Sequence, residues 1–390
     1  MKAYGAVLSF GRPRTIFVNT IQATEGARRN AVPDRWTGLM AHLWITWKSL
    51  IAWLTPERLL LGLVMPAMMI LAVTIPPFYA PDEPAHFKRV EGIAAGEILP
   101  QTYPAKNGQP FAGAMLDASV PQITSSFIPI EPPLVFSRTR LSTVQNALAL
   151  RQTGRLRAVA FSNTAIYAPF LYLPSVFAVT LGNLANSSVL LTLYSARIAN
   201  VLMSVALLVL AARIAPQLAG YVVCCSTIPM MEFQSSVVSA DAIILPLFVL
   251  FACQCWNMQR NVQERPWLFA VVTLLVAAAK VAYIPFAVLP VLIALVRDRK
   301  ISARVLFFAC TSLVTVGVWM LWAILVRSSV FSMRSGVVIN PTQQLAHVVA
   351  HPVYFIRMAV QQFDIEKGFL GSRLVQSQKA TAAARWTAAR

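Results

Sequence analysis

The sequence predicts an all-α polytopic membrane protein with about seven transmembrane helices (between six and eight) and a large outer loop between the first and second. Three observations carry this. Hydrophobic residues fill 57% of the 390 positions and charged residues only 12%, against about 25% charged in a soluble domain. Apolar runs of spanning length recur along the chain. The mean hydropathy is +0.62, and a soluble fold of that character would expose large apolar patches and aggregate. Disorder, a coiled coil and a disulfide scaffold are excluded on the same grounds.

The first span is 59–75, stopped by Pro76-Pro77. The others are 164–182, 190–212, 217–232, 242–257, 267–296 and 303–326. The run 267–296 would be about 45 Å long as one helix, more than the ~30 Å of hydrocarbon requires. It reads as one tilted helix, or as two short ones broken at K-V-A-Y-I-P (280–285). A single helix agrees with seven spans. A hairpin would mean that another span is miscounted.

Arg297, Arg299, Lys300 and Arg304 flank one short loop with only Asp298 between them, which places that loop in the cytoplasm. Residues 327–371 then form an outer loop. Residues 1–58 read as a basic cytoplasmic tail, with an interfacial amphipathic segment at 38–54 that carries Trp44, Trp47 and Trp53. The outer loop 76–163 is proline-rich and holds Asp82, Glu83, Glu91, Glu97, Asp117 and Glu131. Within it, 84–96 reads as a helix and 147–160 as a basic amphipathic helix. The bundle with its outer loop spans 59–326. The Ala- and Arg-rich end, 372–390, has no pattern and reads as a truncated or frame-shifted tail.

The chain has 33 Lys+Arg against 15 Asp+Glu, a net charge of +18. In a membrane protein this surplus faces anionic lipid headgroups. No basic cluster is interleaved with aromatics, so nucleic acid is not an expected partner. Cys224, Cys225, Cys253, Cys255 and Cys310 lie in apolar runs and read as small hydrophobes. No phosphate-binding glycine loop and no H-E-x-x-H is present. His347 and His351 share a helix face but have no supporting acid, so no metal site is assigned. A divalent cation stays open as a cofactor.

The sharpest constellation is P-P-F-Y-A-P-D-E-P-A-H-F-K-R (76–89), directly after the first span. Asp82 before Pro84 suits a helix cap. It equally suits a carboxylate at the bilayer surface acting as general base on an acceptor hydroxyl. His86 follows Asp82 at i, i+4, on the same helix face. Asp241, after Ser239, reads as a cap or as a site acid. Lys280 interrupts an apolar stretch and needs a partner, either an internal acid or a substrate anion. Tyr167 and Tyr172 at a span mouth are aromatic-belt residues, with sugar stacking the second reading.

P-D-E-P-A-H-F (81–87) resembles the bacterial membrane family catalogued as domain of unknown function 2142. N-T-A-I-Y-A-P-F-L-Y-L-P (163–174), Y-S-A-R-I-A-N (194–200), S-V-V-S-A-D-A (236–242) and K-V-A-Y-I-P (280–285) resemble its later motifs in order. An acidic pair after the first span, followed by a large outer loop, resembles the GT-C superfamily of membrane glycosyltransferases. The resemblance covers about 59–371, and family members look to continue through further spans beyond 368–371.

It implies an inverting transfer of a sugar from a polyprenyl-phosphate carrier to a cell-envelope acceptor, on the outer face of the bacterial inner membrane. Asp82 is then the base, and Glu83 assists or fixes the loop. Lys88, Arg89, Arg197 and Lys280 are the candidate phosphate partners, and His86, Tyr167 and Asp241 further substrate contacts. The alternatives are a transporter or flippase of a lipid-linked saccharide, and an inactive truncated membrane protein. Oligomeric state has no signal in the sequence.

Overall fold

The computed structural model describes residues 54–104, 110–127, 141–262, 265–327 and 341–357. All but the last residue of the amphipathic segment 38–54, most of the basic tail 1–58, most of the loop 327–371 and the tail 372–390 lie outside the described residues. The first helix is α1 (Pro56–Thr74). Thr55 caps it, its hydroxyl accepting from Arg58 N at 3.3 Å, and Pro56 sits where no donor is needed. Pro66 has no N–H to give, and the turn before it, Leu60–Val64, widens to a π-turn, a common way to absorb a missing bond.

A small domain follows, made of α2 (Glu83–Ala94), β1 (Gln101–Pro104), β2 (Pro110–Asp117), α3 (Ser119–Phe127), α4 (Leu141–Ala149) and β3 (Leu156–Ala160). The helix expected at 84–96 is α2. The strands form an antiparallel sheet in the order β1-β2-β3. The helix expected at 147–160 is instead the end of α4, a turn and β3. Gly154 takes φ +72°, and the Asp117 carboxylate accepts from Thr153 N and Gly154 N at 2.9 and 2.7 Å. That locks a turn which no helix can pass.

The remaining helices are α5 (Pro169–Leu184), α6 (Val189–Ile214), α7 (Ala219–Ser226), α8 (Pro229–Ser235), α9 (Asp241–Arg260), α10 (Pro266–Ala279), α11 (Val281–Asp298, opening with a 3-10 stretch), α12 (Ala303–Val326) and α13 (Pro341–Ala350). By length and composition α1, α6, α9, α11 and α12 can each cross a membrane, while α5 and α10 are shorter apolar helices. The protein is thus an all-α membrane protein carrying one small sheet.

Contacts order the helices between two ends. At one end Asn257 of α9 donates to Ile214 O of α6 at 2.7 Å, and Arg297 of α11 to Met258 O at 2.9 Å. Arg213, Arg260, Arg265, Arg299, Lys300 and Arg304 lie beside these residues in the sequence. At the other end, against the small domain, Arg197 of α6 meets the last carbonyls of α1. From the basic end α7 and α8 climb back as a broken pair. Ser236 after them donates to Met68 O of α1 at 2.9 Å.

The run 267–296 is a hairpin. Lys280 is extended at φ −145°, ψ 147°, between α10 rising and α11 returning to Arg297. The miscounted span is 164–182. Its helix α5 starts beside Asn200 of α6, where Ser175 donates at 2.8 Å, and ends in the domain, where Asn183 donates to Glu91 at 3.2 Å. It turns back along the top of α6 instead of crossing. Gly182 makes the close approach possible, since a Cβ there would sit 2.3 Å from Thr192 Cγ2. Among the described residues seven segments then run between the two ends, α1, α6, the α7–α8 pair, α9, α10, α11 and α12, and of these α1, α6, α9, α11 and α12 are long and apolar enough to cross a membrane alone.

Pro246 inside α9 illustrates how the bundle satisfies its backbone. It cannot donate to Ala242 O, and Ser204 of α6 donates there instead at 2.7 Å. One apolar core lies between the helices (Leu60, Met68, Leu208, Leu250, Phe269) and a second under the domain (Phe87, Val90, Ile123, Phe161, Leu193).

Glu91 binds α2 to α5 from inside this second core. Burial pushes its carboxyl from 4.5 up to about 7, and its Oε1 has no partner among the described residues. The folded state holds the proton more tightly than the unfolded state, so stability falls as pH rises from about 4.5 to about 7. Glu91→Gln keeps the acceptor for Asn183 without the charge. It is expected to raise the thermal unfolding temperature at pH 8 and to leave it unchanged at pH 4, as read by unfolding scans at the two values.

Candidate active site

The end of α1 needs partners for its last carbonyls, and Pro76-Pro77 prevents the chain from supplying them. Arg197 does so, donating to Ala72 O (2.9 Å), Ile75 O (2.6 Å) and Pro76 O (3.1 Å). The same guanidinium grips Glu83 through Nε to Oε1 at 2.8 Å and through NH2 to Oε2 at 2.6 Å. Phe78 N and Val238 N complete the carboxylate at 3.1 and 3.0 Å. Both side chains are 0% exposed. Glu83 and Arg197 therefore face each other and not a substrate. As a catalytic acid and a phosphate partner they are corrected: together they form the clamp that fastens the 76–83 loop to α6.

Asp82, one residue earlier, is exposed. Its φ is +58°, and its side chain makes no capping bond, contrary to the helix-cap reading. A non-glycine residue in this region stores roughly 1–2 kcal/mol, which Asp tolerates better than most. Asn163 donates to its Oδ1 at 2.7 Å, which fixes the carboxylate and leaves Oδ2 without a bond among the described residues.

Across from it stand Asp241 and Lys280. Ser239 caps α9 by accepting from Ala242 N at 3.2 Å, so Asp241 is free of that duty. It pairs with Lys280 at 2.7 Å, with side-chain exposures of 35% and 24%. The helix break at 280 is what delivers the ammonium here. It also lies over the rings of Tyr167 and Tyr283, at 5.2 and 5.9 Å, both favourable cation–π distances.

His86 closes the cluster. Its ring stacks on Tyr167 (5.8 Å, 10°), and its Nδ1 lies 2.8 Å from the hydroxyl of buried Tyr172. The charges acting on it are Asp241, Asp82 and Lys280, while burial pulls its pKa down to about 4. At neutral pH it carries no charge, which removes it as a cationic phosphate ligand.

Two expected residues stand apart. Arg89 is 0% exposed and donates into the domain, to Ile98 O at 2.7 Å, with its guanidinium 5.7 Å from the Phe161 ring. It holds the domain together and does not reach Asp82. Lys88 has Arg157 as its charged neighbour; burial first, then that charge, lower its pKa. Neither completes the cluster. Asn163 and Tyr283 were given no site role from sequence, and Tyr172, read there as an aromatic-belt residue with sugar stacking second, is instead buried beneath His86. Each lies inside a quoted motif, N-T-A-I-Y-A-P-F-L-Y-L-P or K-V-A-Y-I-P, which was the available signal.

The two adjacent acids are expected to behave differently. Glu83→Gln leaves Arg197 buried and unbalanced, a loss of roughly 3–5 kcal/mol, seen as a collapse in folded protein recovered from membranes. Asp82→Asn keeps a side chain suited to positive φ and should be recovered at the wild-type level. Equal recovery of both would contradict this division of roles.

Residues 67–379 match the family model described as "Predicted membrane protein (DUF2142)". No curated protein and no solved structure matches the chain. With well over half its length matched, the chain belongs to this family of membrane proteins.

Proposed function

We propose that this protein is a membrane glycosyltransferase that moves a sugar from a polyprenyl-phosphate carrier to an acceptor hydroxyl on the outer face of a bacterial inner membrane. The observation that carries the reading is the clustering of an exposed, strained and oriented Asp82 with the Lys280–Asp241 pair, at the seam between bundle and domain. Conformational strain held in place by surrounding structure is common at functional sites. The gathering of arginines at the opposite end supports an outward-facing seam through the positive-inside rule.

In this reading Asp82 Oδ2 takes the proton of the acceptor hydroxyl as its oxygen attacks the anomeric carbon. The bond from that carbon to the phosphate oxygen breaks, and its electron pair leaves with the carrier phosphate. Lys280 has three donors and spends one on Asp241, so it can meet the growing charge. Inversion is what the family resemblance implies, and a single base at Asp82 with no designated nucleophile is consistent with it. The carrier's apolar chain has a berth in the open groove of about 720 Å³ between α5 and α6, lined by Leu173, Phe177, Leu181, Ile198, Leu202 and Met203. It begins one residue from Tyr172. Among the described residues no group of three or more His, Cys, Asp or Glu side chains is placed to hold a metal ion, so no step is assigned to a divalent cation.

The test is envelope glycan profiling in a strain lacking the gene. Wild-type protein is expected to restore a glycan. Asp82→Asn at equal protein level should reduce its formation by about 10²–10⁴-fold, the range for losing a general base, and Lys280→Gln should weaken it too. Full restoration by Asp82→Asn would remove the base and leave transport of a lipid-linked saccharide as the better reading.

A further inference from the structure

The reaction above makes no use of His86 or of the hydroxyl beneath it. Tyr172 is 1% exposed, and its phenol has one hydrogen-bond partner among the described residues, His86 Nδ1 at 2.8 Å. A buried O–H that gives up its only acceptor loses a hydrogen bond with nothing in exchange. The phenol therefore donates to Nδ1, and Nδ1 carries no proton. Burial keeps the ring neutral, with a pKa near 4. A neutral imidazole has one N–H, and here the hydrogen-bond network assigns it to Nε2.

Nε2 has no hydrogen-bond partner among the described residues, and His86 as a whole keeps 8% exposure. It belongs to a ring stacked on Tyr167, with Asp82, Asp241 and Lys280 as its charged surroundings. Two carboxylates against one ammonium disfavour a second anion at this spot. A hydroxyl fits the chemistry better, because it can accept from Nε2–H and pass its own proton into a bond with a carboxylate. An aromatic face beside it suits the apolar face of a sugar ring.

We propose that Tyr172 and His86 form a hydroxyl-reading unit: Tyr172 positions the ring in its Nε2–H form, and that N–H holds one hydroxyl of the transferred sugar. The identity of the ligand rests on the glycosyltransferase reading; the state of the ring does not. His86 contacts substrate, and Tyr172 acts through it as a positioning residue.

Two arms separate the parts. In the first, the full chain in lipid nanodiscs carries ¹⁵N-histidine, and His86→Gln identifies the signal among the four histidines. The expected spectrum at pH 7 is a neutral ring protonated at Nε2, with Tyr172→Phe giving mixed tautomers while the other histidine signals stay fixed. A charged ring, or a proton on Nδ1, overturns the unit. In the second arm, transfer is measured with undecaprenyl-phosphate hexoses and their monodeoxy derivatives.

One deoxy position should lower kcat/KM about 10- to 100-fold in wild type and by no more than about twofold in His86→Ala. His86→Gln, whose amide nitrogen falls near Nε2, should retain more of the discrimination than His86→Asn, whose amide falls near Nδ1. Equal deoxy penalties in wild type and His86→Ala overturn the hydroxyl contact. If wild type transfers none of the hexoses, the sugar assignment falls with the transferase reading, and the first arm alone reports on the ring.

Discussion

The Glu83–Arg197 contact is the constraint on which the rest depends. One guanidinium closes the open end of α1, anchors the start of α2 and fixes the register of α6 against both. The carboxylate at its centre also collects Phe78 N from the loop and Val238 N from the approach to α9. Three stretches far apart in sequence, 72–83, Arg197 and Val238, meet at one ion pair. Burying such a pair is not in itself a large source of stability, because desolvation offsets much of the attraction. Its effect is to specify geometry: any other arrangement leaves a charge stranded in an apolar seam. Because Glu83 is tied inward, Asp82 must turn the chain, and it does so at φ +58° with its carboxylate facing out.

That coupling explains what the sequence could and could not reveal. Composition and apolar run lengths were sufficient for the membrane class, and the acidic pair after the first span marked the loop that the Glu83–Arg197 contact fastens. The division of labour inside the pair was not legible. Asp82 and Glu83 are adjacent and chemically alike, and what separates them is an arginine 114 positions away. Lys280 was legible as a charge needing a partner, and its helix break as a pattern in K-V-A-Y-I-P. Its pairing with Asp241 in preference to a cap for Asp241 depended on Ser239 taking the capping role. Among the described residues five helices are of spanning length and two apolar ones are shorter, and an apolar segment crosses only if its two ends are held at opposite faces. For α5 the bonds from Ser175 and Asn183 hold both ends on one side.

The interruptions in the helices follow one rule. Lipid offers no hydrogen bonds, so each break must find its partner within the protein. The π-turn before Pro66 and the Ser204 bond at Pro246 are repairs of that kind. The break at Lys280 differs in consequence. It is not filled by a neighbouring helix but by an ammonium, an acid and two aromatic faces, partly open to solvent. A repaired break serves the fold, and an unfilled one makes a site. This distinction, more than the presence of ionisable residues as such, is why the proposed reaction is placed at the seam near Lys280.

Charge balance narrows what can occupy that seam. Asp82 and Asp241 oppose one ammonium, since Arg197 is consumed by Glu83, Arg89 faces the domain and His86 is neutral. A free dianion would enter against a net negative charge. In the proposed reaction the donor brings a single phosphodiester charge, and its sugar, which is neutral, would occupy the space between the carboxylates. The phosphate then has to sit on the Lys280 side, where two of the three N–H groups remain to receive it, and the acceptor hydroxyl on the Asp82 side. In the proposed reaction the two acids and the lysine would impose a direction on the substrate: leaving group toward the helix break, acceptor toward the domain, and apolar chain away from both, along the α5–α6 groove.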